Sequence, residues 1–207
     1  MRPDDIRHLF QTPGGGYAFA RWSRPVAPVA FGVEAETLPF IKGAVKTVAT
    51  IAGRTLADTD PESGANLVFF FLRDWPELLD VPEIGGILDA PAATVARLTD
   101  ADALHFRSFR FDDEGAIRAA FVFVKMDHRL APVPAETLAL EQAVRVALLW
   151  SPAAFADRSP LLQGQAGVLV RPEIAALVRA AHDPVMPDTA SDPAHALRLA
   201  ARMKVVS

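Results

Sequence analysis

The segment Asn66–Leu72, which reads Asn-Leu-Val-Phe-Phe-Phe-Leu, is the feature that most constrains the fold of this chain. A membrane-spanning helix needs about 20 apolar residues, so this shorter segment has the length of a strand. Side chains alternate between the two faces of a strand, and both faces of this segment are apolar. Strands with this pattern are covered on both sides. We therefore expect Asn66–Leu72 to be a strand that is buried on both faces.

The spacing of apolar residues elsewhere indicates further strands, a hairpin and several helices. The predicted strands are Val26–Val33, His105–Phe111 and Ile117–Met126, with Asp112–Gly115 as a hairpin turn. The predicted helices are Leu38–Ala52, Pro91–Leu98, Ala135–Trp150, Pro172 to about His182 and Asp192 to about Met203. Residues 156–170 are expected to be irregular. Residues 1–20, with Gly14–Gly16, are expected to be a flexible lead-in, and residues 21–207 a single α+β domain.

Composition excludes several classes of function. The chain has no Cys, so disulfides, thiolate zinc sites and Cys nucleophiles are absent. The net charge is -4 and no basic stripe exists, which argues against nucleic acid as a partner. No apolar run is long enough to span a membrane, and residues 1–8 lack the apolar core of a signal peptide. We therefore expect a bacterial envelope protein if a leader was removed, and a cytoplasmic one otherwise.

The predicted helix Ala135–Trp150 carries one polar stripe, formed by Glu141, Gln142 and Arg145. Glu141 and Arg145 lie four residues apart in the favourable orientation, so they can form an ion pair. The simpler interpretation is an ordinary ion pair on the solvent-exposed face of a helix. The alternative is a pocket in which the pair binds a polar ligand or a peptide end, and deep burial of the pair would favour it.

The chain resembles an uncharacterised proteobacterial family of putative lipoproteins, which is itself similar to zincin peptidases. The resemblance rests on Arg21–Val26, on the helix 138–150, on the segment Arg171–Met186 and on the segment Asp192–Ala200. It implies a zincin-like fold, with an N-terminal helix packed on a small mixed sheet and a helical C-terminal half.

Zincins bind zinc through two His residues four apart on one helix face, with a Glu beside the first. When Glu141 takes the Glu position, the two His positions fall on Leu140 and Val144. The third His position of the longer motif falls on Trp150. These side chains cannot coordinate zinc, so the resemblance implies no peptidase chemistry. We expect no catalytic residue and no cofactor, and we take Glu141, Gln142 and Arg145 as the candidate ligand-binding residues.

The hairpin offers an alternative metal site. His105 and His128 fall near its open end, and Asp127 lies beside the second His, with Asp100 and Asp102 also close in sequence. Two imidazoles and a carboxylate are a set that can bind a divalent ion. Three hypotheses therefore follow from the sequence. They are a non-catalytic domain that binds a protein or small ligand, a metal-dependent hydrolase that uses His105 and His128, and a cytoplasmic structural protein.

Overall fold

The computed structural model of the chain describes residues 1–165 and 167–205. The α-helices are α1 (Pro3–Leu9), α2 (Leu38–Ile51), α3 (Ile84–Ile87), α4 (Pro91–Asp100), α5 (Ala135–Arg145), α6 (Pro172–Ala181) and α7 (His195–Met203). The strands are β1 (Phe19–Ala20), β2 (Pro28–Phe31), β3 (Leu67–Leu72), β4 (His105–Phe111), β5 (Ile117–Lys125), β6 (Leu161–Gly164), β7 (Gly167–Val170) and β8 (Thr189–Ala190). Short 3₁₀ helices span Ala35–Thr37 and Trp75–Asp80.

The main sheet has four strands in the order β2-β3-β5-β4. Strands β2, β3 and β5 run parallel, and β4 pairs with β5 as an antiparallel hairpin. The hairpin turn contains Gly115, whose positive φ of 83° suits a residue without a Cβ. Helix α2 connects the parallel strands β2 and β3, so the chain is a mixed α/β domain with the small mixed sheet that the sequence predicted.

Hydrophobic clusters cover both faces of the sheet, as the sequence of β3 predicts. One face packs against α2 and α5 and includes Phe69, which is 1% exposed. The other face includes Phe70 and Phe123 and packs against α4 and the 3₁₀ helix that begins at Trp75. Full burial of a Phe side chain contributes about 1.5–3 kcal/mol. The double burial of β3 therefore makes it the centre of the fold.

The first twenty residues are not the flexible lead-in that the sequence predicted. They form α1 and β1, and β1 pairs antiparallel with β8. Ile6 and Phe10 are 0% and 1% exposed. The ring of Phe10 stacks on Trp150 at a centroid distance of 5.2 Å. The few apolar residues of this segment lie among polar and glycine residues, so they form no clear helical pattern in the sequence. Tertiary packing supplies the stability that such a short helix lacks alone.

Two boundaries in the C-terminal half also differ from the prediction. Helix α5 ends at Arg145, five residues before the predicted end at Trp150. The chain beyond it pairs with the N-terminal segment, because Leu149 donates a backbone hydrogen bond to Ala20 (2.9 Å). The predicted irregular stretch 156–170 contains the hairpin β6–β7. Ala166 in that stretch, and residues 206 and 207 of the predicted domain, lie outside the described residues.

Arg21 and Trp22 connect the N-terminal segment to the C-terminal half. The Arg21 side chain is buried and donates to the carbonyls of Ala181, Asp183 and Met186 at 2.9–3.1 Å. It also pairs with the carboxylate of Asp188 at 2.5 Å. These contacts satisfy the buried charge of Arg21.

Within the described part of the chain, no helix is long and apolar enough to cross a membrane.

Candidate functional site

The candidate site lies between strand β4 and helix α5. His105 and Arg107 alternate along β4, so they share a sheet face with Phe109, which packs in the cluster that contains α5. Across from them, α5 presents Glu141, Gln142 and Arg145, the three residues that the sequence proposed. We call these five residues, His105, Arg107, Glu141, Gln142 and Arg145, the arginine site.

Three contacts define the geometry of the arginine site. Arg145 donates to one carboxylate oxygen of Glu141 through Nε at 3.0 Å and Nη2 at 2.8 Å. The same guanidinium lies 5.2 Å from the ring centroid of Phe155, within the range of a cation–π contact. Arg107 donates from Nη1 to Oε1 of Gln142 at 3.3 Å. Gln142 itself is 1% exposed, so this amide is a fixed part of the helix surface.

Positive charge exceeds negative charge in the arginine site. Arg107 and Arg145 face a single carboxylate, that of Glu141, and the Arg145 side chain is only 11% exposed. Burial, and secondarily the positive charge of Arg145, lower the pKa of Arg107 to about 10. Burial and the two guanidiniums also lower the pKa of His105 to about 3, so its imidazole is neutral at physiological pH. The ion pair predicted from the sequence therefore sits beside a second, poorly paired cation.

Guanidinium groups offer five N–H donors each, and buried donors normally have acceptors. Among the described residues, Gln142 is the only hydrogen-bond acceptor for the side chain of Arg107. The Gln142 amide is neutral, and the Glu141 carboxylate, which acts on Arg107 from a distance and raises its pKa, already accepts two hydrogen bonds from Arg145. The arrangement can therefore hold an anionic group, which would add a negative charge and further hydrogen-bond acceptors beside Arg107.

The zinc positions suggested by the resemblance point into the core. Leu140, Val144 and Trp150 are all less than a tenth exposed and belong to the cluster that covers the α2–α5 face of the sheet. Trp150 lies outside α5 and donates its indole N–H to the carbonyl of Val144 at 2.8 Å. The face of α5 that lies opposite β4 instead carries Glu141 and Arg145, which are four residues apart and form an ion pair.

The structure does not bring His105, His128 and Asp127 of the alternative metal hypothesis together as one group. The described residues contain no group of three His, Asp or Glu that could hold a metal ion. Asp127 accepts hydrogen bonds from Arg129 at 2.9 Å and 2.5 Å, which hold its pKa down at about 2. Arg129 also binds Asp102 at 2.7 Å. The carboxylates of Asp102 and Asp127 therefore pair with Arg129. His128 is exposed, and His105 lies near Arg107 and Arg145.

Arg107 is the site residue that the sequence did not single out. The signal was present, because Arg107 follows His105 by two residues in a predicted strand and two polar residues there share one face. Which element covers that face is a tertiary property.

In comparisons with known proteins, no family model, no curated protein and no solved structure matches the chain.

Proposed function

We propose that this protein is a non-catalytic, zincin-like domain that binds an extended peptide through a carboxylate group at the arginine site. The observation that carries the proposal is the guanidinium of Arg107, which is half-buried beside Arg145 and whose hydrogen-bond partner among the described residues is a neutral amide. Arginine recognises carboxylates through two parallel N–H···O bonds. A ligand carboxylate would balance the charge of Arg107 and leave the Glu141–Arg145 pair intact.

The edge of the sheet supports a peptide as the form of the ligand. Strand β4 is terminal in the sheet order. The backbone N–H of Lys125 donates to the carbonyl of Leu104. Because residues of an antiparallel strand point their backbone groups alternately toward and away from the neighbouring strand, the backbone groups of His105 and Arg107 point away from β5. The described residues offer those outward groups no backbone partner. An extended chain can add to such an edge through main-chain hydrogen bonds, and the carboxylate site lies on the adjoining face.

The zincin-like part of the proposal rests on the positions of three residues. A zinc-binding helix needs ligands at positions i and i+4 of one face and a Glu at i+1. In the register of the resemblance, Glu141 takes the Glu position of α5, and Leu140 and Val144 take the two ligand positions. Leu and Val cannot bind a metal ion, so a zincin ancestry with these replacements favours binding over hydrolysis. The mixed sheet and the helix α2 agree with the fold that the resemblance implies.

The test uses a fluorescently labelled acidic hexapeptide with a free C-terminus and the same peptide with a C-terminal amide. Fluorescence anisotropy should show saturable binding of the free acid, and binding at least tenfold weaker for the amide. R107Q should weaken binding of the free acid at least tenfold, because a charged hydrogen-bonded pair contributes about 1.5–3 kcal/mol. R145Q should weaken it as well, since Arg145 supplies the second positive charge.

The matched control is R7Q, because Arg7 is exposed on α1 and takes no part in the arginine site. This variant should bind the free acid as the unmodified protein does. Equal affinity of the acid and the amide would contradict carboxylate recognition. Equal affinity of R107Q and R7Q for the free acid would remove the arginine site from the proposal.

A further inference from the structure

A row of stacked phenylalanine rings crosses the main sheet and ends in solvent at β2. The rings are direct neighbours on adjacent strands and are, from β2 to β4, Phe31, Phe70, Phe123 and Phe106. The centroids of successive rings lie 5.5, 5.1 and 6.1 Å apart. Phe70 and Phe123 are buried, whereas Phe31 is 54% exposed, more than any other aromatic residue that the structure describes. The stack holds this exposed ring in place, so a partner can bind it at a low cost in conformational entropy.

Phe31 and Phe70 lie where two open hollows over this face of the sheet adjoin. The hollows have volumes of about 850 Å³ and 630 Å³, and both rings line each of them. Together the hollows exceed the roughly 300–1,000 Å³ of a small-molecule site, so they suit a segment of a polypeptide. We call them the phenylalanine groove, and its apolar lining includes Val29, Phe31, Val68, Phe70, Val81 and Phe121.

The positive charges of the phenylalanine groove are already engaged within the fold. Six carboxylates and four guanidiniums line the groove. Three of these guanidiniums pair with lining carboxylates at 2.7–3.6 Å, and they belong to Arg24, Arg73 and Arg118. The fourth, that of Arg110, donates to the backbone carbonyls of Gly86 and Ile87 at 3.1 Å and 2.5 Å.

Three carboxylates of the groove remain free. Asp58 and Glu83 line the larger hollow and Asp80 lines the smaller one, and all three are exposed. None of them forms an ion pair within residues 1–165 and 167–205. Both hollows therefore combine an apolar floor with negative charge, which complements a partner with apolar and basic side chains.

The neighbouring edge of β2 offers little for binding through the backbone. The carbonyl of Ala27 accepts from the N–H groups of Asn66 and Leu67 at 3.1 Å and 3.2 Å, so Ala27 turns toward β3. The backbone groups of Pro28 and Ala30 therefore turn outward, and Pro28 has no N–H. Among the described residues of β2, only Ala30 presents an outward N–H. Side chains must therefore carry the recognition at this groove.

We propose that the phenylalanine groove binds a segment of a partner protein that carries apolar and lysine side chains. The apolar side chains pack on the exposed ring of Phe31 and the half-buried ring of Phe121. The ammonium groups pair with the free carboxylates of Asp58, Asp80 and Glu83, which would repel an acidic segment. The groove and the arginine site lie on opposite faces of the sheet, so this proposal is independent of carboxylate recognition.

The experiment uses three fluorescently labelled dodecapeptide amides. The first contains Leu and Lys at a helical spacing that places them on opposite faces. The second has Glu in place of Lys, and the third has Ser in place of Leu. Fluorescence anisotropy should show saturable binding of the Leu–Lys peptide, weaker at high salt, and binding at least tenfold weaker for each of the other two. This probe has no carboxylate for the arginine site, so R107Q should bind it as the unmodified protein does.

F31S should weaken binding of the Leu–Lys peptide at least tenfold, because it removes the exposed ring. The matched control is F40S, since Phe40 is 47% exposed on α2 and does not line the groove. Both variants replace exposed rings, so both should remain folded by circular dichroism. The double variant D58N/E83Q should weaken binding at least threefold at low salt. D4N/E36Q, which removes two exposed carboxylates elsewhere, should bind as the unmodified protein does.

Three results would overturn the proposal. The first is equal affinity for the three peptides. The second is equal affinity of F31S and F40S for the Leu–Lys peptide. The third is a dimer of the unmodified protein that F31S dissociates in sedimentation experiments, since the groove would then bind a second copy of this chain.

Discussion

Replacing Arg107 by Met should make the protein more stable and unable to bind the peptide. The pKa of Arg107 is lowered to about 10 in the folded chain. Since one pKa unit corresponds to about 1.4 kcal/mol, the charged form costs roughly 3 kcal/mol in the folded state. The guanidinium is charged in both states below this pKa, so the cost acts in full at neutral pH and disappears only as the pH rises above about 10.

The observable gain should be smaller than the full cost, because Arg107 is only half-buried and water screens part of it. We expect R107M to gain about 1–2 kcal/mol, since Met keeps the apolar contacts of the Arg stem. In a domain of this size that gain raises the melting temperature by about 2–8 °C. The assay is urea and thermal denaturation at neutral pH.

Arg129 supplies the matched control, because it has the carboxylate partners that Arg107 lacks. It is paired with Asp102 and Asp127, at 2.7 Å and 2.5 Å. R129M should therefore lose stability, by about 0.5–1 kcal/mol for a partly exposed network. A loss of stability in R107M as large as that in R129M would refute the reasoning. Arg107 would then have a compensating partner within the fold, and no surplus charge would remain for a ligand.

Three other perturbations test the fold and its pH dependence. G32A should destabilise the protein by more than 1 kcal/mol in urea denaturation, because its φ is +77° and a Cβ would lie 2.0 Å from a backbone oxygen of β3; G43A, in open space on α2, should instead stabilise it by about 0.5–1 kcal/mol. Burial lowers the pKa of His195 to about 4, so its contribution to stability is complete above pH 6.5 and is lost as the pH falls toward 4. H195N should therefore flatten the fall of unfolding free energy between pH 6.5 and pH 4. R21M should cost about 3 kcal/mol or more in denaturation experiments, because it leaves three carbonyls, two of them in buried contacts, and a carboxylate without their donor. Full stability of this variant would show that the connection between the chain ends is dispensable.

Local patterns in the sequence were sufficient for the main elements. The double apolar faces of Asn66–Leu72 predicted a strand buried on both sides, and β3 is that strand. The turn Asp112–Gly115 between two alternating segments predicted the hairpin, and its strands pair in the structure from His105 opposite Val124 onward. These patterns are reliable because they depend on backbone geometry and on the burial of neighbouring residues, which are short-range properties.

The order of the strands and the surroundings of each polar residue required the tertiary structure. No local signal shows that β4 is an edge strand, or that α5 covers the face that carries Arg107. The sequence predicted the Glu141–Arg145 pair, since four residues separate them on a helix. It could not predict that a second guanidinium lies beside that pair, because the charges come from elements 34 residues or more apart in the chain.

The same limit explains why the structure of the first twenty residues and the partners of the metal-hypothesis residues could not be predicted from the sequence. The first twenty residues carry too few apolar side chains to predict a stable helix alone, and α1 is held by its contacts with α7. The hairpin predicted from the sequence placed Asp127 and His128 near His105. In the structure, Asp127 instead pairs with Lys125 and Arg129. Sequence alone determined the strands and helices with a clear apolar period, such as β3 and the hairpin β4–β5. Tertiary packing decided which charges face each other, because burial and distance, not residue type, set the strength of an electrostatic interaction.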